Sequence, residues 1–367
     1  MKRAGLVLIL LALLGGIAQA AEFAEMVRDL NIMQNRMVVG DARAREQAAR
    51  QFDLIEKTIT SLEPEAWTDE RNQRAAIVYL LAGGAPVGLR AIHDAEFDGG
   101  KLGPLIGASV EYAEGREGGV PKALMDFDAR RLPPIPGGHL ALVQGSALIG
   151  DDNARAIVLL DVARLLMPGS LVEEAALRRE IAILDPVRDV GKVALLSSRY
   201  ASKYLSSPYV QNFWDVLRRA TIADSEFFPR APKFEPIFLK GPSSERAAFY
   251  LAVARLALLA GNLVEARRSI EEAGKAATQP TTIKRVAAYH NILSTLTQET
   301  GPPALSAQDL QSLDKQDAAL LEITSSVTSA LAARPQANAP DDAYEMASTV
   351  REAIAKTDEL LKRASPQ

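Results

Sequence analysis

Apolar side chains recur along most of this chain at steps of three and four residues, the spacing that places them on one face of a helix. The clearest stretch is 152–185, DNARAIVLLDVARLLMPGSLVEEAALRREIAILD. Within it Ala156, Leu160 and Ala163 line one helix face, and the small alanines allow a second helix to approach closely. Pro168-Gly169 ends that helix. The pattern is that of the second helix in a tetratricopeptide-type hairpin.

A second helix is expected to begin directly after this stop. Ser170 is placed as its N-cap, and Glu173 follows three residues later, as in a capping box. Residues 170–184 are apolar nearly all round, so this helix is expected to be covered on several sides. Glu174 and Arg178 are spaced for an exposed i, i+4 ion pair.

The same spacing, a step of four residues followed by a step of three, recurs elsewhere in the chain. It appears again as Ala48, Phe52 and Ile55, and as Ala266, Ile270 and Ala273. Recurrence favours repeated antiparallel hairpins over coincidence, so the sequence predicts an all-α, tetratricopeptide-like array of helical hairpins, an α-solenoid. The individual helices are predicted at 22–39, 42–62, 140–149, 152–167, 170–184, 190–205, 208–223, 244–261 and 262–277.

Proline and glycine divide the chain into predicted segments. A helical-repeat domain is expected over 21–300, irregular at 83–138, and a polar helical tail, partly ordered, over 301–367. Residues 125–138 (MDFDARRLPPIPGG) are expected to form a non-helical crossing. The proline- and phenylalanine-rich segment 224–243 is expected to be extended and packed along the helices.

The first residues indicate export. Lys2 and Arg3 precede an apolar run at 6–14, and Ala18-Gln19-Ala20 has the small-x-small form of a secretory cleavage site. Cleavage is expected between Ala20 and Ala21. The apolar run is shorter than the ~20 residues that span a bilayer, and no membrane span is expected after cleavage. The sequence therefore predicts a protein outside the cytoplasm.

Composition narrows the function classes. Hydrophobic residues make up 48% of the chain and aromatic ones only 5%, which favours helices rich in Ala and Leu over strands. The net charge of −4 argues against a nucleic-acid partner, which favours a basic surface. With no cysteine, the chain has neither disulfides nor thiol ligands.

Catalytic and metal-binding patterns are not found in the sequence. The three histidines, His93, His139 and His290, are widely separated and lack metal-ligand spacing. His139 follows a glycine pair before a predicted helix, so it either binds an anion there or forms part of the turn. The paired acids Asp151-Asp152 and Glu173-Glu174 are interpreted as solvated cap residues, because adjacent residues on a helix diverge. No catalytic residue, metal or cofactor is predicted.

Two stretches resemble a known family. Residues 160–181 (LDVARLLMPGSLVEEAALRREI) and 197–213 (SSRYASKYLSSPYVQNF) are similar to the periplasmic motility proteins called MotC. The resemblance implies a non-enzymatic periplasmic accessory protein required for flagellar rotation. It further implies that the partner is the periplasmic part of the stator protein MotB, which the protein would bind and hold in place.

Two questions stay open at this level. The aromatic residues of the second stretch are candidate partner contacts or, alternatively, core packing of a hairpin junction: Tyr200, Tyr204, Tyr209, Phe213 and Trp214. The alternative function is an exported cell-wall (peptidoglycan) binding or lytic factor on a helical scaffold. A lytic enzyme would require an acid in a cleft beside aromatic platforms, and no stretch of the sequence offers one.

Overall fold

The fold is all-α. The computed structural model describes residues 22–94, 100–115, 119–222, 227–297 and 315–332, and every regular element among these residues is a helix. The α-helices are α1 (22–38), α2 (Ala44–Ser61), α3 (Glu70–Leu81), α4 (Val87–Asp94), α5 (Gly103–Glu114), α6 (Lys122–Asp126), α7 (Pro134–Ala147), α8 (Asn153–Leu166), α9 (Leu171–Ile183), α10 (Val190–Lys203), α11 (Val210–Ala220), α12 (Ala231–Phe238), α13 (Ser243–Leu259), α14 (Leu263–Ala276), α15 (Pro280–Thr297) and α16 (Lys315–Ala332). The predicted all-α class is confirmed.

The chain divides into two compact units, Met1–Leu217 and Arg218–Gln367. In the first, α7 packs on α8 and α8 on α9; in the second, α13 packs on α14. Because short turns join these neighbours, they form antiparallel helical hairpins. The tetratricopeptide-like array and the single repeat domain over 21–300 stay predictions.

Small residues bring α7, α8 and α9 together. Ala156, Leu160 and Ala163 are fully buried, as their spacing on one face predicts. At Gly145 of α7 an added Cβ would lie 3.0 Å from Leu160 Cγ and 3.2 Å from the Ala156 carbonyl oxygen. The two helices therefore meet where glycine faces leucine, a contact at which a larger side chain would have to displace its neighbours.

The helix ends follow the polar signals of the sequence. Ser170 Oγ accepts a hydrogen bond from the Glu173 backbone N–H at 3.1 Å, which confirms the predicted N-cap. Gly169 and Gly261 adopt left-handed φ values of 78° and 70°, and so reverse the chain after α8 and α13. Asp152 caps α8 by accepting from Arg155 N at 3.0 Å.

The predicted non-helical crossing at 125–138 is wrong for most of its length, which contains the end of α6, a 3-10 helix (Ala129–Arg131) and the start of α7. Helix α7 begins at Pro134, six residues before the predicted start, because proline is well suited to the first turn of a helix. Gly137 and Gly138 lie inside this helix. A Cβ on Gly137 would lie 2.5 Å from the Ala129 carbonyl oxygen, so this glycine allows the chain to pack closely there.

The segment 224–243 is helical over 228–238, most of the part that the structure describes, which corrects the prediction of an extended chain. A 3-10 helix, Phe228–Arg230, leads directly into α12, and prolines occupy the first turn of each. Phe227, Phe234 and Phe238 are buried, so the predicted packing of the phenylalanines is confirmed for these three.

Part of the polar tail belongs to the second unit. Helix α16 packs on α15, and its buried Asp317 accepts hydrogen bonds from Tyr289 Oη at 2.6 Å and Arg285 Nε at 2.5 Å. The predicted signal segment with Ala20 and Ala21, and the rest of the tail, lie outside the described residues. Among the helices described, none has the length and apolar character that crossing a membrane requires.

Candidate functional site

Helix α9 carries three glutamates whose side chains are fully enclosed: Glu173, Glu174 and Glu180, each 0% exposed. The interpretation of Glu173-Glu174 as solvated cap residues is therefore wrong. Asp151 and Asp152, in contrast, are exposed at the start of α8, as expected for solvated cap residues. Since a buried charge needs partners, the contacts of the three glutamates define the centre of the first unit.

Glu173 joins the start of α9 to the end of α10. Its Oε2 accepts hydrogen bonds from Gly169 N at 2.5 Å and from Tyr204 Oη at 2.7 Å, and its Oε1 accepts from Arg199 Nε. Burial raises the pKa of this carboxyl, but these hydrogen bonds and the Arg199 charge outweigh burial and hold the pKa below its usual value. Glu173 is thus a charged anchor for both helices.

Glu174 joins α9 to the end of α10 and the turn after it. Its Oε1 accepts hydrogen bonds from Tyr200 Oη at 2.7 Å and Ser207 Oγ at 3.2 Å. Arg178 donates from Nε to Oε1 at 2.8 Å and from a terminal nitrogen to Oε2 at 3.0 Å. The predicted Glu174–Arg178 pair exists, but it is enclosed and bidentate where the sequence led us to expect an exposed pair.

Glu180 lies in a different electrostatic environment near the end of α9. Lys192 Nζ is 2.5 Å from Oε1 and Arg164 Nε is 3.4 Å from Oε2, so both cations form ion pairs with Glu180. Asp161 shares Lys192 at 2.9 Å. Burial raises the pKa of Glu180 to about 7, and the Asp161 charge adds to this, while Lys192 and Arg164 act against it. Burial therefore has the largest influence on the pKa of Glu180.

The candidate partner contacts lie mostly in the core. Tyr200, Tyr204, Phe213 and Trp214 are at most 2% exposed, and Tyr200 stacks on Phe213 with ring centroids 4.0 Å apart. Of the two alternatives left open by the sequence, the burial of these four residues supports core packing, at the junction of α10 and α11. Tyr209 alone of the five is exposed, at 40%, with the Arg178 guanidinium 5.1 Å from its ring centroid.

His139 lies inside α7 and not at its start. It is buried, and its Nε2 accepts a hydrogen bond from Asn31 Nδ2 at 3.0 Å. Burial lowers the pKa of His139 to about 4, so the ring is neutral at physiological pH. A neutral ring that is already hydrogen-bonded to α1 does not bind an anion. The interpretation of His139 as an anion-binding residue is therefore wrong.

The arrangement is suited to holding helices together. The three glutamates are out of reach of a substrate, and each binds cations or hydroxyls from helices packed against α9. In the described ranges no three His, Cys, Asp or Glu side chains are grouped for metal binding. One feature of the sequence indicates the burial of Glu173 and Glu174: an acid pair on a helix that is apolar on every side has to be enclosed by its neighbours.

The sequence did not indicate which residues bind these acids. Arg199, Tyr204 and Lys192 are far from the glutamates along the chain, and nothing in their spacing points to α9. Only the packing of α10 on α9 brings them within reach.

The fold and the site together define an all-α protein in which the buried acids of α9 hold neighbouring helices together. Comparison with known proteins identifies the particular family. A family model described as "Chemotaxis protein MotC" matches residues 2–366. The chain therefore belongs to the MotC family and is a motility- and chemotaxis-related protein. The resemblance inferred from residues 160–181 and 197–213 is confirmed.

A curated relative has the same description. "Chemotaxis protein MotC" of Rhizobium meliloti (strain 1021) is 28% identical to this chain over 341 residues, which cover 89% of this chain and 77% of the relative. No solved structure matches the chain.

Proposed function

We propose that the protein is an exported, non-enzymatic accessory factor of the flagellar motor, which acts in the periplasm and is required for rotation. The observation that carries this proposal is the family match over residues 2–366. Its molecular partner, in this proposal, is the periplasmic part of the stator protein MotB. Binding holds that partner in a geometry that keeps the stator in place, and no covalent bond is made or broken.

The internal charge network supports a role that depends on shape. Glu173 and Glu174 fix α9 to α10 and to the turn after it through hydrogen bonds from Tyr204, Tyr200 and Ser207. Such contacts rigidify the unit, and a rigid surface loses little conformational freedom when it binds a folded partner.

The periplasmic location rests on the N-terminal sequence. Residues 1–20 combine a basic start, an apolar run and a small-x-small site, so export with cleavage before Ala21 is expected. Cell fractionation followed by N-terminal sequencing tests this. A mature chain beginning at Ala21 in the periplasmic fraction is the expected result, and an intact N-terminus in the cytoplasmic fraction would contradict it.

Deletion of the gene tests the cellular role. We expect cells that carry normal numbers of filaments but do not swim, with swimming restored by the full-length gene. A gene lacking residues 2–20 is the matched control, because its product has the same folded part without the export signal and should not restore swimming. Loss of the filaments themselves, or unimpaired swimming, would contradict the proposal.

The partner is tested by capture. The purified chain should retain the periplasmic part of MotB and release it when excess untagged chain competes. Retention of peptidoglycan fragments without MotB would instead favour the alternative function of a cell-wall binding factor.

A further inference from the structure

A groove in the first unit has two walls. The end of α6 and the turn that follows it form one wall, and one side of α8 forms the other. The groove has a volume of about 310 Å³, and its lining includes Asp126, Phe127, Gln144, Arg155, Val158 and Val162. This volume is at the lower end of the range for ligand sites, enough for a few side chains. None of these residues takes part in the glutamate network of α9.

The α8 wall of the groove is apolar and accessible. Val158 is 60% exposed, and Leu159 and Val162 are half-buried beside it. Leu165, seven residues beyond Val158 and therefore on the same helix face, is 69% exposed. Phe127 supplies a half-buried aromatic ring on the opposite wall. A groove with exposed aliphatic side chains on one wall and an aromatic ring on the other favours an apolar side chain as its occupant.

Each wall also carries one charged side chain that has no ion-pair partner among the described residues. Asp128 and Arg130 are paired with each other, with Arg130 Nε 2.9 Å from Asp128 Oδ1. Asp126 on the α6 wall and Arg155 on the α8 wall form no ion pair with any residue that the structure describes. A ligand with complementary charges would therefore carry an acid on one side of its apolar group and a base on the other.

Gln144 fixes the wall that α6 contributes. Its side chain is 2% exposed, and its amide nitrogen donates to the carbonyl oxygens of Leu124 at 2.6 Å and Phe127 at 2.7 Å. The wall is thus tied to α7 before any ligand binds, which reduces the entropy lost on binding.

We propose that this groove binds an extended segment of another polypeptide. A large apolar side chain of that segment lies between Val158 and Phe127, an acidic neighbour pairs with Arg155, and a basic neighbour pairs with Asp126. A polypeptide supplies these three groups in succession. The inference concerns a binding site and does not depend on which protein supplies the segment.

Selection from a library of random peptides displayed on phage, with the full chain immobilised, tests this site. The enriched peptides should share a large apolar residue with an acid on one side and a base on the other. Val158→Glu should weaken the binding of a selected peptide by roughly tenfold or more, since it places a charge where an apolar contact was made. Arg155→Glu should reverse the preference at the acidic peptide position to a basic residue.

Both variants are expected to fold. Val158 is exposed, and residue 155 lies in the first turn of α8 next to the Asp152 cap, where a glutamate interacts favourably with the helix dipole. Circular dichroism and thermal unfolding of each variant check this directly.

Matched controls lie outside the groove. Val264→Glu repeats the valine substitution at a residue that is 83% exposed on α14, and Arg45→Glu repeats the charge reversal at an exposed position of α2. Neither should change peptide binding. Failure to enrich any common pattern, or a pattern that Val158→Glu and Arg155→Glu leave unchanged in folded protein, would overturn the proposal.

Discussion

The hydroxyl of Tyr200 donates a hydrogen bond to Glu174 Oε1 at 2.7 Å, and neither side chain is exposed to solvent. The two residues are 26 positions apart, on α10 and α9. The tyrosine satisfies a buried charge with its hydroxyl while its ring stacks on Phe213. Burial and the Glu174 charge raise the pKa of Tyr200 well above its usual value, so its hydroxyl stays a donor at any physiological pH.

Tyr200→Phe should lower the free energy of unfolding by about 1.5–3 kcal/mol, the contribution expected for a hydrogen bond to a charged group. The ring is kept, so the packing against Phe213 is unchanged. Urea denaturation at neutral pH measures the difference. Tyr209→Phe is the matched control because that side chain is 40% exposed, and its effect should stay within about 0.5 kcal/mol. Equal effects of the two substitutions would contradict the assigned role of the Tyr200 hydroxyl.

Glu180 should make stability fall as the pH rises. Its pKa is raised from 4.5 to about 7 in the folded state, so between these values the folded chain binds more protons than the unfolded chain. The contribution of Glu180 is fully present below pH 4.5 and is lost as the pH rises through about 7. The loss amounts to about 3 kcal/mol.

Glu180→Gln tests this, because glutamine cannot titrate. The stability of the variant relative to the unmodified chain should increase by about 3 kcal/mol between pH 4.5 and 8, measured by urea denaturation at several pH values. A difference that does not change with pH would show that Glu180 has an ordinary pKa in the folded protein.

His139 should have the opposite dependence. Its pKa is lowered from 6.5 to about 4, so the unfolded chain binds more protons in this range and stability falls as the pH falls. Its contribution is fully present above pH 6.5 and is lost, by about 3 kcal/mol, as the pH falls through 4. His139→Gln keeps an acceptor for Asn31 and should lack this component. An unaltered pH profile in that variant would rule out the buried neutral histidine.

Two glycine substitutions should differ in sign. Gly137→Ala places a methyl group 2.5 Å from the Ala129 carbonyl oxygen, a backbone atom that cannot easily move, and should destabilise the protein by about 1–3 kcal/mol. Gly191→Ala is the matched control in α10, where nothing lies within 4 Å of the added Cβ. It should stabilise by about 0.4–1 kcal/mol, since alanine restricts the unfolded chain. Thermal unfolding compares the two, and destabilisation by both would argue against a specific contact at Gly137.

Local features of this protein were determined by the sequence itself. The cap of α9 at Ser170, the left-handed turns at Gly169 and Gly261, and the buried face of Ala156, Leu160 and Ala163 follow from residues within one or two helical turns. Interactions of this range depend on backbone sterics, on hydrogen bonds at helix ends and on the helical period, all of which are visible in a short stretch of sequence. Apolar content and spacing likewise determined the all-α class.

Only the tertiary structure decided how the acids and the aromatic rings are used. The sequence leads to the interpretation of Glu173 and Glu174 as solvated, and it leaves the tyrosines open between partner contacts and core packing. The packing of α10 on α9 joins all of them in one enclosed network. The physical reason is that burial of a charge becomes favourable only when partners far along the chain arrive, and no local pattern records which partners those are.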